Sequence, residues 1–251
     1  MKVKLFTIPN LITSGNLFCG AMAIVQALAW GNLTAACWWI VAAAVCDFFD
    51  GFAARLLDEV GPMGIQLDSL ADDISFGLAP AATLYTLYTR GSWTLCSPAP
   101  GVQTAAGCAL FLFAVCAALR LAKFNVDGTR RNDFCGLPSP AAALLCVSLG
   151  WLSERQGWQL SCEAVLAVAA CTAALMVSTM RMFTLKFHGF GWAGNQVRYL
   201  FLAVAAVAAV LLGVRAIPVL IPLYVAASAV RNLLCPAREE ASGKRGGKKR
   251  R

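Results

Sequence analysis

A long uncharged stretch near the N-terminus limits the folds available to this 251-residue chain. No Asp, Glu, Lys or Arg occurs between Lys4 and Asp47, a run of 42 positions. One membrane-spanning helix needs about 20 apolar residues, so the run is long enough for two. Trp30, Gly31 and Asn32 interrupt it near its middle and predict a turn at the membrane surface. The sequence therefore predicts two spanning helices joined by a short turn.

The composition of the whole chain is also apolar. Hydrophobic residues make up 59% and charged residues 14% of the chain, whereas an average soluble domain has about 25% charged residues. This balance excludes a soluble globule and a disordered chain. We predict an all-α fold, a polytopic membrane helix bundle with eight transmembrane helices, although hydropathy alone leaves six or seven as alternatives. The six apolar runs after the first two cover roughly 74–89, 101–119, 134–153, 164–180, 199–214 and 216–230.

The distribution of basic residues predicts the orientation. With eight spans, 18 of the 21 Lys and Arg residues lie on one side, and Arg90, Arg155 and Arg215 lie on the other. Cytoplasmic loops collect Lys and Arg, so we expect a multi-pass protein of the cell membrane with both termini in the cytoplasm. Residues 1–237 would form the transmembrane domain. Residues 238–251 would form a basic, disordered cytoplasmic tail.

The basic tail leaves two interpretations open. It is attracted to anionic lipid head groups, at about 1 kcal/mol per basic residue near the surface, or it reflects the ordinary bias of cytoplasmic segments. No folded basic module accompanies it, so we expect no nucleic-acid partner. Membrane lipids are the expected surroundings of the protein as a whole.

Acidic residues are concentrated in one short segment. Seven of the 13 in the chain lie between positions 47 and 73, with Arg55 as the only base among them. They are Asp47, Asp50, Asp58, Glu59, Asp68, Asp72 and Asp73. Carboxylates at a membrane boundary are costly and mark functional sites, and like charges disfavour one another's ionisation. A bound divalent metal would relieve this repulsion. We expect Asp58 and Glu59, in a predicted turn, to face water.

The spacing of four aspartates supports a metal site. Asp47 and Asp50 are three residues apart, and Asp68 and Asp72 are four apart, so each pair shares one face of a helix. The turn signal Gly61–Pro62 separates the pairs. Two antiparallel helices would then direct four carboxylates at one another, as in helix bundles that bind two metals. Oxygen ligands favour Mg²⁺ or Mn²⁺. Asp73 is rotated by about 100° from Asp72 and is expected to lie outside this set.

Small residues accompany the aspartates. Gly51, Ala54 and Gly64 would let a bulky ligand approach the helix backbone, and Arg55 offers a cation suited to phosphate. Small residues alone more often indicate close packing of membrane helices. Beside four spaced aspartates and an arginine, they predict a ligand site.

These residues together resemble the signature of the CDP-alcohol phosphotransferase family. The pattern is Asp50-Gly51-x2-Ala54-Arg55-x8-Gly64-x3-Asp68-x3-Asp72, preceded by Asp47. The resemblance implies a membrane enzyme that uses two divalent metal ions, Mg²⁺ or Mn²⁺. It implies that Asp47, Asp50, Asp68 and Asp72 hold the metals, with Asp72 also the catalytic general base. It further implies that Gly51, Ala54, Arg55 and Gly64 form the CDP-binding site, on the cytoplasmic side.

Other blocks resemble those of bacterial phosphatidylserine synthases within this family. They are Ile8–Thr13 leading into Asn16–Gly20, Leu67–Asp72 continuing into Ser75–Pro80, and Arg120–Asn125 followed by Phe134–Ala142. The resemblance implies that CDP-diacylglycerol and L-serine react to give phosphatidylserine and CMP, and it leads us to expect a homodimer. Arg120 and Asn125 are candidates for binding serine. The region around Thr13 and Asn16 is expected to lie close to the site.

Two alternatives remain open at this point. The same fold and donor could serve another acceptor, such as glycerol 3-phosphate or inositol phosphate, because the basic cluster Arg120–Arg131 could bind an extra phosphate. A cation-coupled transporter is the alternative from another class. It would distribute acidic residues over several helices near the bilayer midplane, whereas here they cluster on one predicted helix pair.

Overall fold

The computed structural model of the protein describes residues 5–95, 97–127, 136–180 and 211–234. Every regular element in these ranges is a helix. The helices are α1 (Ile8–Leu28), α2 (Leu33–Leu56), α3 (Pro62–Asp72), α4 (Ala79–Arg90), α5 (Pro100–Ala109), α6 (Leu112–Asp127), α7 (Ser139–Gln156), α8 (Cys162–Val177) and α9 (Ile217–Leu234). A π-helical segment, Asp73–Leu78, joins α3 to α4, and a short 3-10 turn, Gly213–Ala216, precedes α9.

Three segments within the described ranges are long and apolar enough to cross a membrane: Ile8–Leu28, Leu33–Leu56 and Pro100–Val126. Two shorter apolar helices cover Cys162–Val177 and Gly213–Ala229. The predicted all-α membrane class is therefore confirmed. The count of eight spans and the cytoplasmic termini stay predictions. Most of the predicted run 199–214 and the whole tail 238–251 lie outside the described residues.

The first two helices form the predicted hairpin. The chain leaves α1 at Leu28 and enters α2 at Leu33, and the Asn32 side chain accepts a hydrogen bond of 2.8 Å from the backbone N–H of Ala35. This N-cap satisfies one of the donors that a helix start leaves free. Small buried residues such as Ala23 and Ala36 line the interior faces of the two helices, as expected for close packing of membrane helices.

A continuous helix from α3 through the π-helical segment to α4 is the central element. Phe76 is fully buried in a core with Ile40 of α2 and Val147 of α7. Gly20 of α1 lies so close to this segment that a Cβ atom there would be 2.8 Å from the Cα of Ser75. Only glycine fits at this contact, which brings α1 against the π-helical segment directly after α3.

A polar cluster joins the helices at the end of the bundle that contains the α1–α2 turn. The Glu154 carboxylate of α7 accepts a hydrogen bond of 2.6 Å from the backbone N–H of Thr34 and lies 3.9 Å from Arg90. The Arg90 guanidinium also donates to the carbonyl of Gly31 in the α1–α2 turn. These contacts join the ends of α2, α4 and α7. The candidate functional site lies at the other end of these helices, near the Leu56–Pro62 connection.

The predicted run 101–119 differs from the structure in its continuity. It contains a break at Leu110 and Phe111, which separates α5 from α6. The predicted run 134–153 begins later than expected, because the helix starts at Ser139 after Pro138. Pro138 is the N-cap residue, and Pro140 lies in the first turn, where the missing N–H of a proline is not needed.

Candidate active site

Three aspartates from two helices converge at the Leu56–Pro62 end of the hairpin. Asp47, Asp50 and Asp68 each offer a carboxylate oxygen, and these oxygens lie within 4.8 Å of one another. Asp47 and Asp50 share a face of α2 because they are three residues apart. The chain then turns and re-enters a helix at Pro62, so that Asp68 faces them from α3.

Asp72 lies beside this cluster, one helical turn after Asp68. Its Oδ1 accepts a hydrogen bond of 3.2 Å from the side-chain amide of Asn16 on α1. Electrostatic interactions join the Asp72 carboxylate to those of Asp47 and Asp68. All four predicted aspartates therefore interact electrostatically. They lie on α2 and α3, and α1 contributes the hydrogen bond from Asn16.

The cluster carries more negative charge than the surrounding protein compensates. Asp50 is 5% exposed, and its buried Oδ2 has no hydrogen-bond partner within the described part of the chain. Burial, with the Asp50 charge as the second cause, raises the pKa of Asp68 to about 6. A carboxylate pKa rises in this way when its charge is desolvated and repelled. Convergent oxygens with an unpartnered buried atom fit a hard divalent cation such as Mg²⁺ or Mn²⁺.

The predicted CDP-site residues surround the aspartates in different ways. Gly51 faces open space, because a Cβ atom there would meet nothing within 4 Å. Gly64 packs toward α1, where a Cβ atom would lie 3.3 Å from the Asn10 Oδ1. Ala54 is half-buried and Arg55 is exposed in the last turn of α2. A ligand therefore has room beside Gly51. At Gly64, the absence of a side chain allows α1 to pack closely against α3.

The two candidates for serine binding lie on α6 and contact different neighbours. Arg120 donates from Nη1 to the Ser139 Oγ at 2.8 Å, and it interacts electrostatically with Asp72. Its buried Nε has no hydrogen-bond partner among the residues the structure describes. Asn125 is exposed and donates from Nδ2 to the Ser69 Oγ at 2.7 Å. Both side chains are thereby connected to the aspartate-bearing region.

The remaining acidic residues lie apart from the cluster. Asp58 and Glu59 are exposed in the α2–α3 turn, which confirms the expectation that they face water. Asp73 points toward α6, since a Cβ atom at Gly77 would lie 2.8 Å from the Asp73 Oδ1 and 3.1 Å from the Ala117 Cβ. Asp73 therefore belongs to the interface between the π-helical segment and α6.

The family resemblance led us to expect the Thr13 and Asn16 region of α1 near the site, but without a contact or a role for either side chain. Asn16 contacts Asp72, and the Thr13 side chain lies against the Asp50 carboxylate. Asn10, Thr13 and Asn16 are all buried. Their spacing of three residues places them on one face of α1. The sequence signal for these three residues is their polar character at a three-residue spacing within an uncharged spanning helix.

Comparison with known proteins decides the family. The family model described as CDP-alcohol phosphatidyltransferase matches residues 6–177, more than half of the chain. The chain belongs to the CDP-alcohol phosphatidyltransferase family. The matched region includes α1 to α8, and thus all four aspartates and both candidate serine-binding residues.

Three relatives of the chain carry the same name. The chain is 36% identical over 184 residues to the CDP-diacylglycerol–serine O-phosphatidyltransferase of Bacillus subtilis, covering 72% of this chain and 92% of the relative. The protein of that name from Mycobacterium bovis is 35% identical over 220 residues, covering 83% and 72%. The one from Helicobacter pylori strain 26695 is 39% identical over 148 residues, covering 57% and 56%.

Proposed function

We propose that the protein is a phosphatidylserine synthase, which transfers the phosphatidyl group of CDP-diacylglycerol to the hydroxyl of L-serine and releases CMP. The observation that carries this proposal is the convergence of Asp47, Asp50 and Asp68 within 4.8 Å. It occurs in a member of a family whose compared relatives are named for this reaction.

The aspartates would hold the metal ions of the reaction. Two divalent cations, Mg²⁺ or Mn²⁺, bound by Asp47, Asp50, Asp68 and Asp72 would neutralise the charge of the donor pyrophosphate. The unpartnered Asp50 Oδ2 and the all-oxygen donor set support this assignment. Open space at Gly51 leaves room for the nucleotide, and the exposed Arg55 offers its guanidinium to a phosphate.

Asp72 would accept the proton of the acceptor. As the serine oxygen forms its bond to the phosphorus of the phosphatidyl group, the bond from that phosphorus to the bridging oxygen breaks and CMP leaves. The hydroxyl proton passes to the Asp72 carboxylate, which lies beside the cluster and is oriented by Asn16. A carboxylate within hydrogen-bonding reach makes a hydroxyl a competent nucleophile at neutral pH.

Arg120 and Asn125 would bind the acceptor. The Arg120 guanidinium has an unpartnered buried Nε near Asp72 and would pair with the carboxylate of serine. Asn125, joined to Ser69 on α3, would add a hydrogen bond at the edge of the site. Serine would thereby be held with its hydroxyl toward Asp72.

The proposed topology has eight spans, cytoplasmic termini and an active site at the cytoplasmic boundary of the cell membrane. The 18 basic residues on one side of that topology support it. The acyl chains of the donor would stay in the lipid while CDP and serine face water. A homodimer is proposed from the family resemblance alone, and light scattering of the purified protein would measure it.

An assay of CMP release tests the proposed function. The purified protein receives CDP-diacylglycerol, Mg²⁺ or Mn²⁺, and serine, glycerol 3-phosphate, inositol phosphate or no acceptor. We expect CMP and phosphatidylserine only with serine and only with metal. CMP release with another alcohol and not with serine would show that this alcohol is the acceptor. No release from folded protein under any condition would contradict the enzyme assignment.

A further inference from the structure

The α1 residue Asn16 forms a hydrogen bond with Asp72, the proposed general base. Its side chain is fully buried, and its Nδ2 donates to the Asp72 Oδ1 at 3.2 Å. The two residues are 56 positions apart in the chain, so only the packing of α1 against α3 brings them together. A buried amide is costly unless it is hydrogen-bonded.

The backbone of Asn16 is held independently of its side chain. The Ser75 hydroxyl donates to the Asn16 carbonyl oxygen at 3.0 Å. One turn along α1, Gly20 permits this approach, since a Cβ atom there would lie 2.8 Å from the Cα of Ser75. The π-helical segment that contains Ser75 follows directly after Asp72. The same stretch of chain therefore presents Asp72 and holds the residue that contacts it.

We propose that Asn16 is a positioning residue, which fixes one oxygen of Asp72 so that the other faces the reaction centre. This inference rests on the proposed function of the aspartate site. An amide suits the task because it donates a hydrogen bond without adding charge to four clustered carboxylates. A lysine or arginine at the same place would compete with a bound cation for Asp72.

A second feature supports a role for Asn16 at the site. Its Oδ1 is buried and has no hydrogen-bond partner within residues 5–95, 97–127, 136–180 and 211–234. Buried acceptors are normally satisfied by protein or by ordered molecules. This oxygen belongs to the amide whose nitrogen donates to Asp72, so an unsatisfied acceptor lies next to the aspartate.

The test compares two buried amides on the same helix. Asn16→Leu replaces the amide by an apolar side chain with the same number and branching of heavy atoms, and Gln26→Leu removes a second buried amide ten residues away, about 15 Å along α1. Binding of Mn²⁺ to the purified full-length protein without serine is measured by electron paramagnetic resonance. Loss of a residue that orients a metal ligand weakens metal affinity or activity by about 10–100-fold. We expect that loss for Asn16→Leu and wild-type Mn²⁺ affinity for Gln26→Leu.

Steady-state kinetics add a second readout. We expect Asn16→Leu to lower kcat while the KM for CDP-diacylglycerol stays within about twofold, the pattern of a lost transition-state interaction. Wild-type Mn²⁺ affinity and kcat in Asn16→Leu would overturn the proposal, and so would an equal loss in Gln26→Leu. If wild-type protein neither binds Mn²⁺ nor releases CMP, the proposed function fails, and the positioning role fails with it.

A second variant tests the proposal in case Asn16→Leu does not fold. Ser75→Ala removes the hydrogen bond to the Asn16 carbonyl and leaves the amide in place. We expect a smaller decrease of Mn²⁺ affinity and kcat in the same direction, in protein whose melting temperature shows that it is folded. Folded Ser75→Ala with wild-type values of both would overturn the proposal.

Discussion

Arg120 of α6 donates a hydrogen bond of 2.8 Å to the hydroxyl of Ser139, the first residue of α7. Ser139 is fully buried, so this contact holds the guanidinium inside the bundle rather than at its surface. Asp72 is the acid that interacts with it electrostatically. A cation fixed between α7 and the aspartate cluster can receive an anionic group of the acceptor.

Arg120→Ala is expected to raise the KM for serine by about 10–100-fold, because a hydrogen bond to a charged group contributes about 1.5–3 kcal/mol. The KM for CDP-diacylglycerol should change much less. Steady-state kinetics with each substrate varied in turn measure both. Ser139→Ala keeps the charge and should produce a smaller increase for serine. An equal effect on both substrates would instead assign Arg120 to the nucleotide or to anchoring.

Asp72→Asn is expected to reduce kcat by about 100-fold or more, because a general base contributes about 10²–10⁴-fold. Binding of CDP-diacylglycerol should largely survive, since the remaining aspartates still converge. Single-turnover CMP release and equilibrium binding of the donor separate the two effects. Asp58→Asn is the matched control. Asp58 is exposed and has a φ of 54°, a backbone conformation that asparagine tolerates. Near-normal turnover of Asp72→Asn would remove Asp72 as the base.

Gly20→Ala is expected to destabilise the protein by about 1–3 kcal/mol, the range for overpacking a tight interior. The added Cβ would lie 2.8 Å from the Cα of Ser75, so the backbones of α1 and the π-helical segment must separate. Denaturant or thermal unfolding in detergent measures the change. Gly101→Ala is the control, because a Cβ there meets nothing within 4 Å. Equal stability of the two variants would argue against this contact.

Glu163 is expected to make the stability of the α4–α5 connection depend on pH. The backbone N–H groups of Leu95 and Thr94 donate to its carboxylate at 2.9 Å each, and these bonds, that of Leu95 first, lower its pKa to about 2. A carboxyl whose pKa falls on folding stabilises the protein above its unfolded pKa of about 4.5. That contribution is lost as the pH falls toward 2.

Melting temperatures of wild type and Glu163→Gln between pH 6 and pH 3 measure this dependence. The variant should be less stable than wild type at pH 6, and the difference should shrink as the pH falls below about 4.5. A difference that stays constant over the whole range would show that the Glu163 charge does not contribute.

Relations within a single helix were predictable from the sequence. Asp47 and Asp50 share a face because a helix repeats every 3.6 residues, and Gly61 with Pro62 marks the turn before Asp68. The α1–α2 hairpin followed from an uncharged run that is long enough for two membrane-spanning helices. These inferences need only local periodicity and the cost of burying charge.

Relations between helices required the tertiary structure. The contacts of Asn16 with Asp72 and of Arg120 with Ser139 depend on the rotation and separation of packed helices. The π-helical segment Asp73–Leu78 adds to this, since its wider turn shifts the faces of the following residues away from a 3.6-residue repeat.

The membrane class, the helical hairpin and the set of aspartates were thus predictable from local sequence. Which side chains orient the aspartates depends on the packing of the helices. Charge and periodicity act along one chain segment, whereas orientation of a carboxylate depends on a neighbour 56 residues away that packing brings within 3.2 Å.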